Sequence, residues 1–348
     1  MKTKIISADN ESGMREAARI IRNGGLVAFP TETVYGLGAN ALIEDAAKKI
    51  YAAKGRPSDN PLIVHLEKPE DAEKYACATE TYYLLAAAFM PGPLTVILKK
   101  RDIIPPGVTG NLGTVGIRVP SDETAHKLIS LSGVPIAAPS ANLSGRPSTT
   151  AAAHVIADLY GKIDAIIDGG DSKIGLESTI VTEEGEGVIR MLRPGAITKE
   201  MIEGLGFRVV LDSAVISKPA DGERPLAPGM MYRHYAPRAK VVLFSGNESS
   251  VERALSKYGN DPHSVILCYE ENKTLLKYGN CRVIGKRSDR ENTAHRLFAL
   301  LRELDLNSET EYIYSPLPDK TGIGLAIFNR MVKAAGYEII DTEQEEED

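Results

Sequence analysis

The sequence predicts an α/β protein with a larger N-terminal domain and a smaller C-terminal domain. Short apolar segments with strand character alternate with amphipathic segments of helical spacing along most of the 348 residues. The alternation stops in one stretch rich in proline and glycine, near residues 212–239, and then resumes. With 43% hydrophobic and 25% charged residues, the chain has a globular composition and is long enough for two hydrophobic cores.

The N-terminal domain is predicted to begin with strand 4–7 and helix 12–23, which Ser12 would cap and Gly24 and Gly25 would end. The same alternation predicts helices at 45–53, 80–89, 123–131 and 151–160, and strands at 26–30, 62–66, 94–98, 116–119, 135–138 and 165–168. Strands 178–182 and 187–192 are close enough in sequence to form a hairpin. Crossovers and a hairpin together predict a mixed, twisted sheet with helices outside it.

The proline- and glycine-rich stretch is the predicted linker, assigned to residues 212–239. Its end, residues 230–237, carries three aromatic or imidazole rings and an arginine, so we expect it to pack against a folded part of the protein. After it, strands at 241–244, 265–267, 282–284 and 312–314 alternate with helices at 249–258, 291–304 and 323–335. That pattern predicts a small three-layer α/β domain, followed by a disordered acidic tail at 341–348.

Several classes of site are excluded by what the sequence lacks. It contains no P-loop motif, and its glycine pairs lack the third glycine of a dinucleotide-binding fingerprint. The histidines are scattered and no C-x-x-C pair occurs, so a structural zinc site has no ligand set. Cys77, Cys268 and Cys281 form no even framework, and no segment is typical of a signal peptide or a membrane span. We therefore expect a reduced, cytoplasmic protein without membrane association.

Three polar loops carry the residues expected to bind a ligand. Residues 54–62 place Lys54 and Arg56 ahead of an apolar strand and predict a phosphate clamp, while residues 30–38 and 139–145 each follow another apolar strand. The formal net charge of -6 argues against an electrostatic nucleic-acid binder. The net charge does not exclude a local basic cavity formed by these two cations together with Arg118, Arg146 and Arg193. Together the loops indicate a nucleotide site built without the common nucleotide motifs.

Four ordered motifs of this sequence resemble the YrdC/YciO family in its long two-domain form. They are the T-x-T-V-Y-G-L-G segment at 31–38, the K-x-R of Lys54 and Arg56, the S-x-N of Ser140 and Asn142, and the H-Y-A-P at 234–237. The resemblance implies a YrdC-like catalytic domain at 1–211, whose twisted mixed sheet and helices surround a concave cavity. It also implies a linker or lid at 212–239 and a Rossmann-like domain at 240–340.

The resemblance further implies a threonylcarbamoyl-AMP synthase, which joins L-threonine, bicarbonate or CO2, and ATP into L-threonylcarbamoyladenylate and pyrophosphate. The product would pass to downstream threonylcarbamoyl-transferase machinery that modifies the adenosine beside the anticodon in tRNAs reading ANN codons. A carbamate oxygen is already anionic and can attack the α-phosphorus, so no strong base is needed at that step. The enzyme must mainly position two anions, with Mg2+ held largely by the phosphates, and no stable tRNA complex is expected.

The family's functional residues are expected at matching positions of this chain. Lys54 and Arg56 would be catalytic. The residues expected to bind ATP are Lys54, Arg56, Asn60, Thr114, Ser140, Asn142, Ser148, Arg193, His234 and Tyr235. Those expected to bind threonine are Thr33, His65, Arg118, Ala138 through its backbone, and Ser178. His234 and Tyr235 would cover the adenylate and exclude water if the linker folds back as a lid.

Each assignment has a structural alternative when the residue is considered alone. Asn60 and Ser140 are also common turn formers, His65 could be a satisfied core histidine, and Arg118 a half-exposed strand cation. The rings of the linker could anchor it to one domain instead of covering a ligand. For the whole chain, the alternatives are a non-catalytic RNA- or nucleotide-binding module of the same fold and, more remotely, a carbamoyltransferase of the hydrogenase-maturation type. The sequence does not identify the Mg2+ ligands.

Overall fold

The computed structural model describes residues 2–218, 227–228 and 235–343. The chain divides into two compact units, each of which is an α/β fold, so the predicted fold class is confirmed. Unit 1 comprises Met1–Ser144 and Ser148–Met231, and unit 2 comprises Gly145–Pro147 and Tyr232–Asp348.

Unit 1 alternates strands and helices as the hydrophobic pattern predicts. In chain order its elements are β1 Lys4–Ser7, α1 Glu11–Arg22, β2 Val27–Phe29, β3 Gly36–Asn40, α2 Glu44–Lys54, β4 Ile63–His65, a 3-10 helix Pro69–Lys74, α3 Glu80–Phe89, β5 Leu94–Lys99, a 3-10 helix Pro106–Val108, β6 Thr114–Arg118, α4 Glu123–Ser132, β7 Ile136–Ala138, α5 Ala152–Leu159, β8 Ala165–Asp168, β9 Thr179–Gly185, β10 Val188–Arg193, α6 Lys199–Glu203, β11 Arg208–Leu211 and α7 Ser213–Ile216.

Within the described residues of unit 1, the strands form a mixed sheet in the order β1-β8-β2-β3-β7-β4-β6-β5-β9-β10-β11. The hairpin prediction is confirmed, because β9 and β10 pair antiparallel. Alternate residues of a strand point to opposite faces, so Val27 and Phe29 join the core under α1 and α4, whereas Ala28 joins the larger core on the other face. The pair of β4 and β6 is parallel and lies near the middle of the sheet, which is where the candidate site is built.

Two expectations for the start of unit 1 were wrong. The N-cap of α1 is Asn10, whose side-chain oxygen accepts from the Gly13 N–H at 3.0 Å, and not Ser12. Strand β3 was missed because its G-L-G core has low strand propensity. Gly38 is required there by packing, since a Cβ atom would come within 2.7 Å of the Phe29 ring and 2.8 Å of Ile136.

The stretch predicted to lack regular structure from residue 212 onward begins with a short helix. Asp212 caps α7 by accepting from the Ala214 N–H at 3.0 Å. Ala214 and the later Ala227 are both buried in one small apolar cluster, and its other members lie on β4, β5, β9 and β10: Ile63, Ile97, Ile180 and Leu192. Residues 227–228 of the predicted linker therefore pack on the sheet of unit 1.

Unit 2 contains β12 Lys240–Ser245, α8 Glu248–Ser256, β13 Ser264–Tyr269, β14 Cys281–Gly285, α9 Arg290–Leu306, β15 Tyr312–Pro316, α10 Gly324–Ala334 and β16 Ile339–Asp341. Its described strands form a parallel sheet in the order β14-β13-β15-β12-β16. The acidic tail was expected to be disordered from residue 341, but Asp341 pairs with Ser245 at the sheet edge, and residues 344–348 lie outside the described part.

The cysteines also differ from expectation, because a disulfide joins Cys268 to Cys281 within unit 2. Neighbouring parallel strands bring the two residues together, with Cys268 on β13 and Cys281 at the start of β14. Cys77 is free and exposed. Two cysteines separated by 13 residues in sequence give no sign of this pairing until the register of the strands is known.

The identity of the α1 cap gives a test of the fold. Replacing the side chain of Asn10 leaves an N–H of the first helical turn without its acceptor, so Asn10→Ala should lower the free energy of unfolding of the full chain by about 1 kcal/mol. Ser12 is exposed, and Ser12→Ala should cost less than about 0.5 kcal/mol. Urea denaturation of both variants measures the difference, and equal losses would contradict the assignment of the cap.

Candidate active site

The candidate site begins at the adjacent ends of two central strands. In the parallel pair of β4 and β6, His65 lies directly beside Arg118. On the other side of β4, Ala138 of β7 pairs with Ile63. Three of the residues expected to bind threonine thus stand on three neighbouring strands, and His65 and Arg118 are 3% and 4% exposed.

Arg118 is held by the segment that follows β2. Its Nη2 atom donates to Glu32 Oε1 at 2.8 Å and to Thr33 Oγ1 at 2.9 Å. Glu32 is 5% exposed and Thr33 is fully buried, so the ion pair has little contact with water. Among the described residues, neither Glu32 Oε2 nor Arg118 Nε has a hydrogen-bond partner. The pair therefore keeps one buried acceptor and one buried donor for another group.

His65 is neutral in this environment. Burial lowers the pKa of its imidazole from 6.5 to about 3, and the charge of Arg118 contributes in the same direction. The Nδ1 atom lies 3.2 Å from the carbonyl oxygen of Ile63, and the backbone of Ile136 is a further hydrogen-bond partner of the ring. The ring can therefore serve as a neutral polar wall and not as a second cation beside Arg118.

Ser178 and Arg193 form a second buried group on the neighbouring strands. Arg193 donates from Nε to the carbonyl oxygen of Ser178 at 3.0 Å and from Nη2 to its hydroxyl at 3.1 Å. That hydroxyl also lies 2.8 Å from the hydroxyl of Thr95. Nη1 of Arg193 donates to the carbonyl oxygen of Pro228 at 3.3 Å. Arg193 thus contacts both Ser178, which is expected to bind threonine, and Pro228, which belongs to the predicted linker.

The K-x-R loop is organised by its two cations in different ways. Lys54 is 2% exposed, and its ammonium donates to the carbonyl oxygen of Ser140 at 2.6 Å and to that of Asn142. Arg56 is only partly buried and donates to the side-chain oxygen of Asn60 at 2.6 Å and to the carbonyl oxygen of Pro61 at 3.1 Å. Lys54 therefore fixes the S-x-N loop, while Arg56 shapes the loop that leads into β4.

Three of the remaining nucleotide-side residues lie in loops, and the fourth lies at the start of a strand. The Ser140 hydroxyl donates to the side-chain oxygen of Asn142, and the Ser148 hydroxyl donates to the carboxylate of Glu177. Thr114 begins β6, at the opposite end of that strand from Arg118. Asn142 and Ser148 are 6% and 1% exposed, so their polar groups are shielded from bulk water.

Backbone hydrogen bonds of residues 32–35 connect the two sides of the predicted site. The carbonyl oxygen of Thr33 accepts from Gly175 N at 3.0 Å, close in sequence to Ser178. Tyr35 donates from its N–H to the carbonyl oxygen of Thr149 at 2.8 Å and accepts from the N–H of Ala141 at 2.8 Å. The segment between β2 and β3 is therefore the part of unit 1 that joins the Arg118 side to the S-x-N loop.

Of the two residues expected over the nucleotide, His234 lies outside the described residues, and Tyr235 belongs to unit 2. Tyr235 is 5% exposed and adopts a φ of 63°, an unusual value for a residue other than glycine. Its ring stacks on Phe298 at a centroid distance of 5.2 Å, and the guanidinium of Arg330 lies 5.5 Å from the ring centroid. Arg146, expected in the basic cavity, is exposed.

Sequence reasoning missed three polar residues of the site: Glu32, Thr95 and Glu177. Glu32 could have been identified from the sequence, because it is the only charged residue between Asn23 and Ile43 in a segment that is otherwise apolar or neutral. A lone charge in such a segment predicts a buried partner. Thr95 and Glu177 have no comparable signal, since each is identified only by its contact with a serine distant in sequence.

Two family models match the chain. The model of the Sua5/YciO/YrdC family, described as telomere recombination, matches residues 19–195. The model described as the C-terminal domain of threonylcarbamoyl-AMP synthase matches residues 197–336. The two matches follow one another along the chain with a single residue between them.

Curated relatives match over nearly the whole length. The threonylcarbamoyl-AMP synthase of Pyrococcus abyssi is 45% identical over 333 residues, which cover 94% of this chain and 95% of the relative. That of Bacillus subtilis is 44% identical over 334 residues, covering 95% of each.

Solved structures give the same picture of the fold. The crystal structure of Pyrococcus abyssi Sua5 complexed with L-threonine has a TM-score of 0.88 and 42% identity, and the match covers 98% of this chain and 99% of that one. The structure of Escherichia coli YciO has a TM-score of 0.50 and 24% identity over 56% of this chain and 96% of its own, so it is a likeness of fold alone.

The pKa of His65 predicts how stability depends on pH. Because the folded chain resists protonation of this ring until about pH 3, the unfolded chain binds more protons below pH 6.5. The free energy of unfolding should therefore fall as pH falls, by up to about 1.4 kcal/mol for each unit from this group. The variant His65→Gln should lack that component when urea denaturation is compared at pH 7, 6 and 5.

Exposed His126 on α4 provides the matched control. The variant His126→Gln should follow the pH profile of the wild-type chain. Parallel profiles for His65→Gln and wild type would show that burial does not hold His65 neutral.

Proposed function

The chain belongs to the Sua5/YciO/YrdC family, and from that premise we infer that it is a threonylcarbamoyl-AMP synthase. The reaction joins L-threonine, bicarbonate or CO2, and ATP into L-threonylcarbamoyladenylate and releases pyrophosphate. The product serves threonylcarbamoyladenosine modification of tRNA beside the anticodon. In chemical class we propose a nucleotidyltransferase, because an adenylyl group moves from ATP to a carbamate oxygen.

One observation carries this proposal. The segment between β2 and β3 is hydrogen-bonded both to Arg118, a buried arginine that can bind a carboxylate, and to the S-x-N loop, which can bind phosphates. Arg118 contacts Thr33, and two residues later Tyr35 holds Ala141 of the S-x-N loop. An adenylation site must bring an amino-acid derivative and the α-phosphate into contact. A shared, hydrogen-bonded support for both sides satisfies that requirement.

On the threonine side, we assign the carboxylate of the substrate to Arg118. A guanidinium offers paired N–H donors to a carboxylate, and Arg118 Nε has no partner among the described residues. Thr33 and Ser178 supply hydroxyl groups near the two arginines, and neutral His65 adds no charge.

On the nucleotide side, Arg56 is the cation best placed for phosphate, because it is partly exposed while Lys54 is buried against two carbonyl oxygens. Lys54 then acts by fixing Ser140 and Asn142, and its charge still raises the local potential for an anion. These groups position the triphosphate and reduce its repulsion with the carbamate, which is the main task of a phosphoryl-transfer site.

We propose that Mg2+ enters with the triphosphate. Within the described ranges no cluster of three or more His, Cys, Asp or Glu side chains could hold a metal ion. A cation bound chiefly by phosphate oxygens suits a site whose protein groups are amides, hydroxyls and cations. Bound there, it would neutralise charge on the leaving pyrophosphate.

We also propose the third substrate, the recipient of the product and the location of the enzyme. Bicarbonate or CO2 is the third substrate, the product passes to a separate threonylcarbamoyl-transferase system, and the protein acts in the cytoplasm without a stable tRNA complex. Of the described helices, none combines the length and the apolar character needed to cross a bilayer.

The alternative is a non-catalytic RNA- or nucleotide-binding module with the same fold. The net charge of -6 disfavours it, since such binding rests on phosphate contacts from a basic surface. It predicts steeply salt-dependent affinity for RNA and no consumption of ATP.

Pyrophosphate release tests the function directly. With ATP, Mg2+ and bicarbonate, release should depend on L-threonine. It should be at least about tenfold slower with serine, which lacks the methyl group of threonine, or with alanine, which lacks both the methyl and the hydroxyl group. Bound nucleotide without pyrophosphate release in the presence of any amino acid would favour the binding module instead.

Substitution of the two arginines separates the two sides of the site. Arg118→Lys keeps the charge but loses the paired donors, so the KM for threonine should rise about tenfold or more while the KM for ATP changes little. Arg56→Lys is the matched change and should affect the KM for ATP and kcat, with little effect on the KM for threonine. Equal effects of Arg118→Lys on both KM values would contradict its assignment to the carboxylate.

A further inference from the structure

Glu32 is a buried acid that the assigned roles leave unexplained. It is 5% exposed and contacts Arg118 through Oε1 alone, at 2.8 Å. Its second oxygen, Oε2, is buried and has no partner among the described residues. A buried carboxylate normally satisfies both oxygens, because an acceptor removed from water without a partner costs free energy. The unmatched oxygen therefore points to a donor that arrives with a ligand.

The unmatched atoms of this ion pair are of opposite kinds. Oε2 of Glu32 can only accept from a donor while it is ionised, and Nε of Arg118 can only donate. A free carboxylate would suit Arg118 but would be repelled by Glu32, and a simple amine would suit Glu32 but be repelled by Arg118. An α-amino acid carries an ammonium and a carboxylate on one carbon, so it can meet both requirements at once.

We propose that Glu32 binds the α-ammonium group of the amino-acid substrate through Oε2 while Arg118 binds its α-carboxylate. This inference rests on the proposed function and adds a specificity determinant to it. The ion pair would then select for a zwitterion. It would reject acids that lack the α-amine, which could otherwise occupy Arg118 without being able to form a carbamate.

The neighbouring groups agree with that division of roles. The hydroxyl oxygen of Thr33 accepts from Arg118 Nη2 at 2.9 Å and also lies 2.8 Å from the hydroxyl of Thr31, so the hydroxyl of Thr33 is engaged. His65 beside Arg118 is neutral and does not compete for Glu32. Of these five side chains, Glu32 is the only anion, and hence the natural acceptor for an ammonium group.

A plain counter-ion role for Glu32 makes a different prediction and can be tested. Calorimetric binding would compare L-threonine with L-2-aminobutyrate, which lacks the hydroxyl group, and with 3-hydroxybutyrate, which lacks the amine. The protein would be the full chain without ATP, as wild type and as Glu32→Gln. Gln is nearly isosteric with Glu, but it removes the charge and replaces one acceptor oxygen by an NH2 donor.

If Glu32 binds the ammonium group, Glu32→Gln should lower the affinities for threonine and for 2-aminobutyrate by the same factor, about tenfold or more. The affinity for 3-hydroxybutyrate should stay equal or rise, because the substitution removes a negative charge that repels its carboxylate. Loss of threonine binding with unchanged 2-aminobutyrate binding would assign Glu32 to the hydroxyl group and overturn the proposal. Equal loss for all three ligands would make Glu32 a counter-ion only and would also overturn it.

Asp122 provides a matched control. Burial raises the pKa of its carboxyl group, with a further contribution from the charge of Glu32, so it lies within the electrostatic range of that residue. It caps α4 by accepting from Ala125 N at 3.0 Å, and Asn caps a helix equally well. Asp122→Asn should change all three affinities by less than about threefold.

A second variant covers the case in which Glu32→Gln does not fold. Glu32→Asp keeps the charge on a shorter side chain. It should lower the affinities for threonine and 2-aminobutyrate by the same factor and leave the affinity for 3-hydroxybutyrate nearly unchanged. A wild-type chain that neither binds threonine nor releases pyrophosphate would overturn the proposed function and the role of Glu32 together. Threonine-dependent pyrophosphate release with ligand affinities insensitive to Glu32 would overturn this role alone.

Discussion

The buried ion pair between Glu32 and Arg118 is the constraint on which the site depends. Two charges that are almost excluded from water are tolerated only when they are paired, because each alone would carry a large desolvation cost. The pair joins positions 86 residues apart in sequence. It fixes the segment after β2 against the end of β6, and that segment in turn holds the S-x-N loop through Tyr35. In the proposed function, the substrate groups would be received by a support that is already ordered.

The two cations of the K-x-R motif show how one short pattern can serve two purposes. Lys54 is buried and directs its ammonium at the carbonyl oxygens of residues 140 and 142, so much of its work is to order a loop. Arg56 is partly exposed and bonds the loop before β4 through Asn60. Both raise the local positive potential in a chain whose net charge is -6. A site for triphosphate is therefore compatible with an acidic protein, because only the local field matters to the ligand.

The predicted linker is not a uniform tether in the parts that the structure describes. It starts with a capped helical turn at Asp212, and Ala227 is fully buried in unit 1 among apolar side chains of the sheet. Pro228 accepts from Arg193, which also bonds Ser178. Further along, Tyr235 is buried in unit 2 against Phe298. Successive parts of the linker are thus anchored in different units, which gives it a structural role beyond connection.

Hydrophobic period, caps and turn residues determined most of the helices and strands, since these signals are local: α3 and β8 have the predicted bounds, and β9 and β10 form the predicted hairpin. The sequence also supplied the motifs that identify the family. Only the tertiary structure decided that β3 is a strand, that Cys268 meets Cys281, and that Glu32 faces Arg118. Each of these depends on strand register or on contacts between distant residues. Local sequence does not identify the partners, even where a lone charge such as Glu32 indicates that one exists, because the energy that selects these contacts arises only when the sheet has assembled.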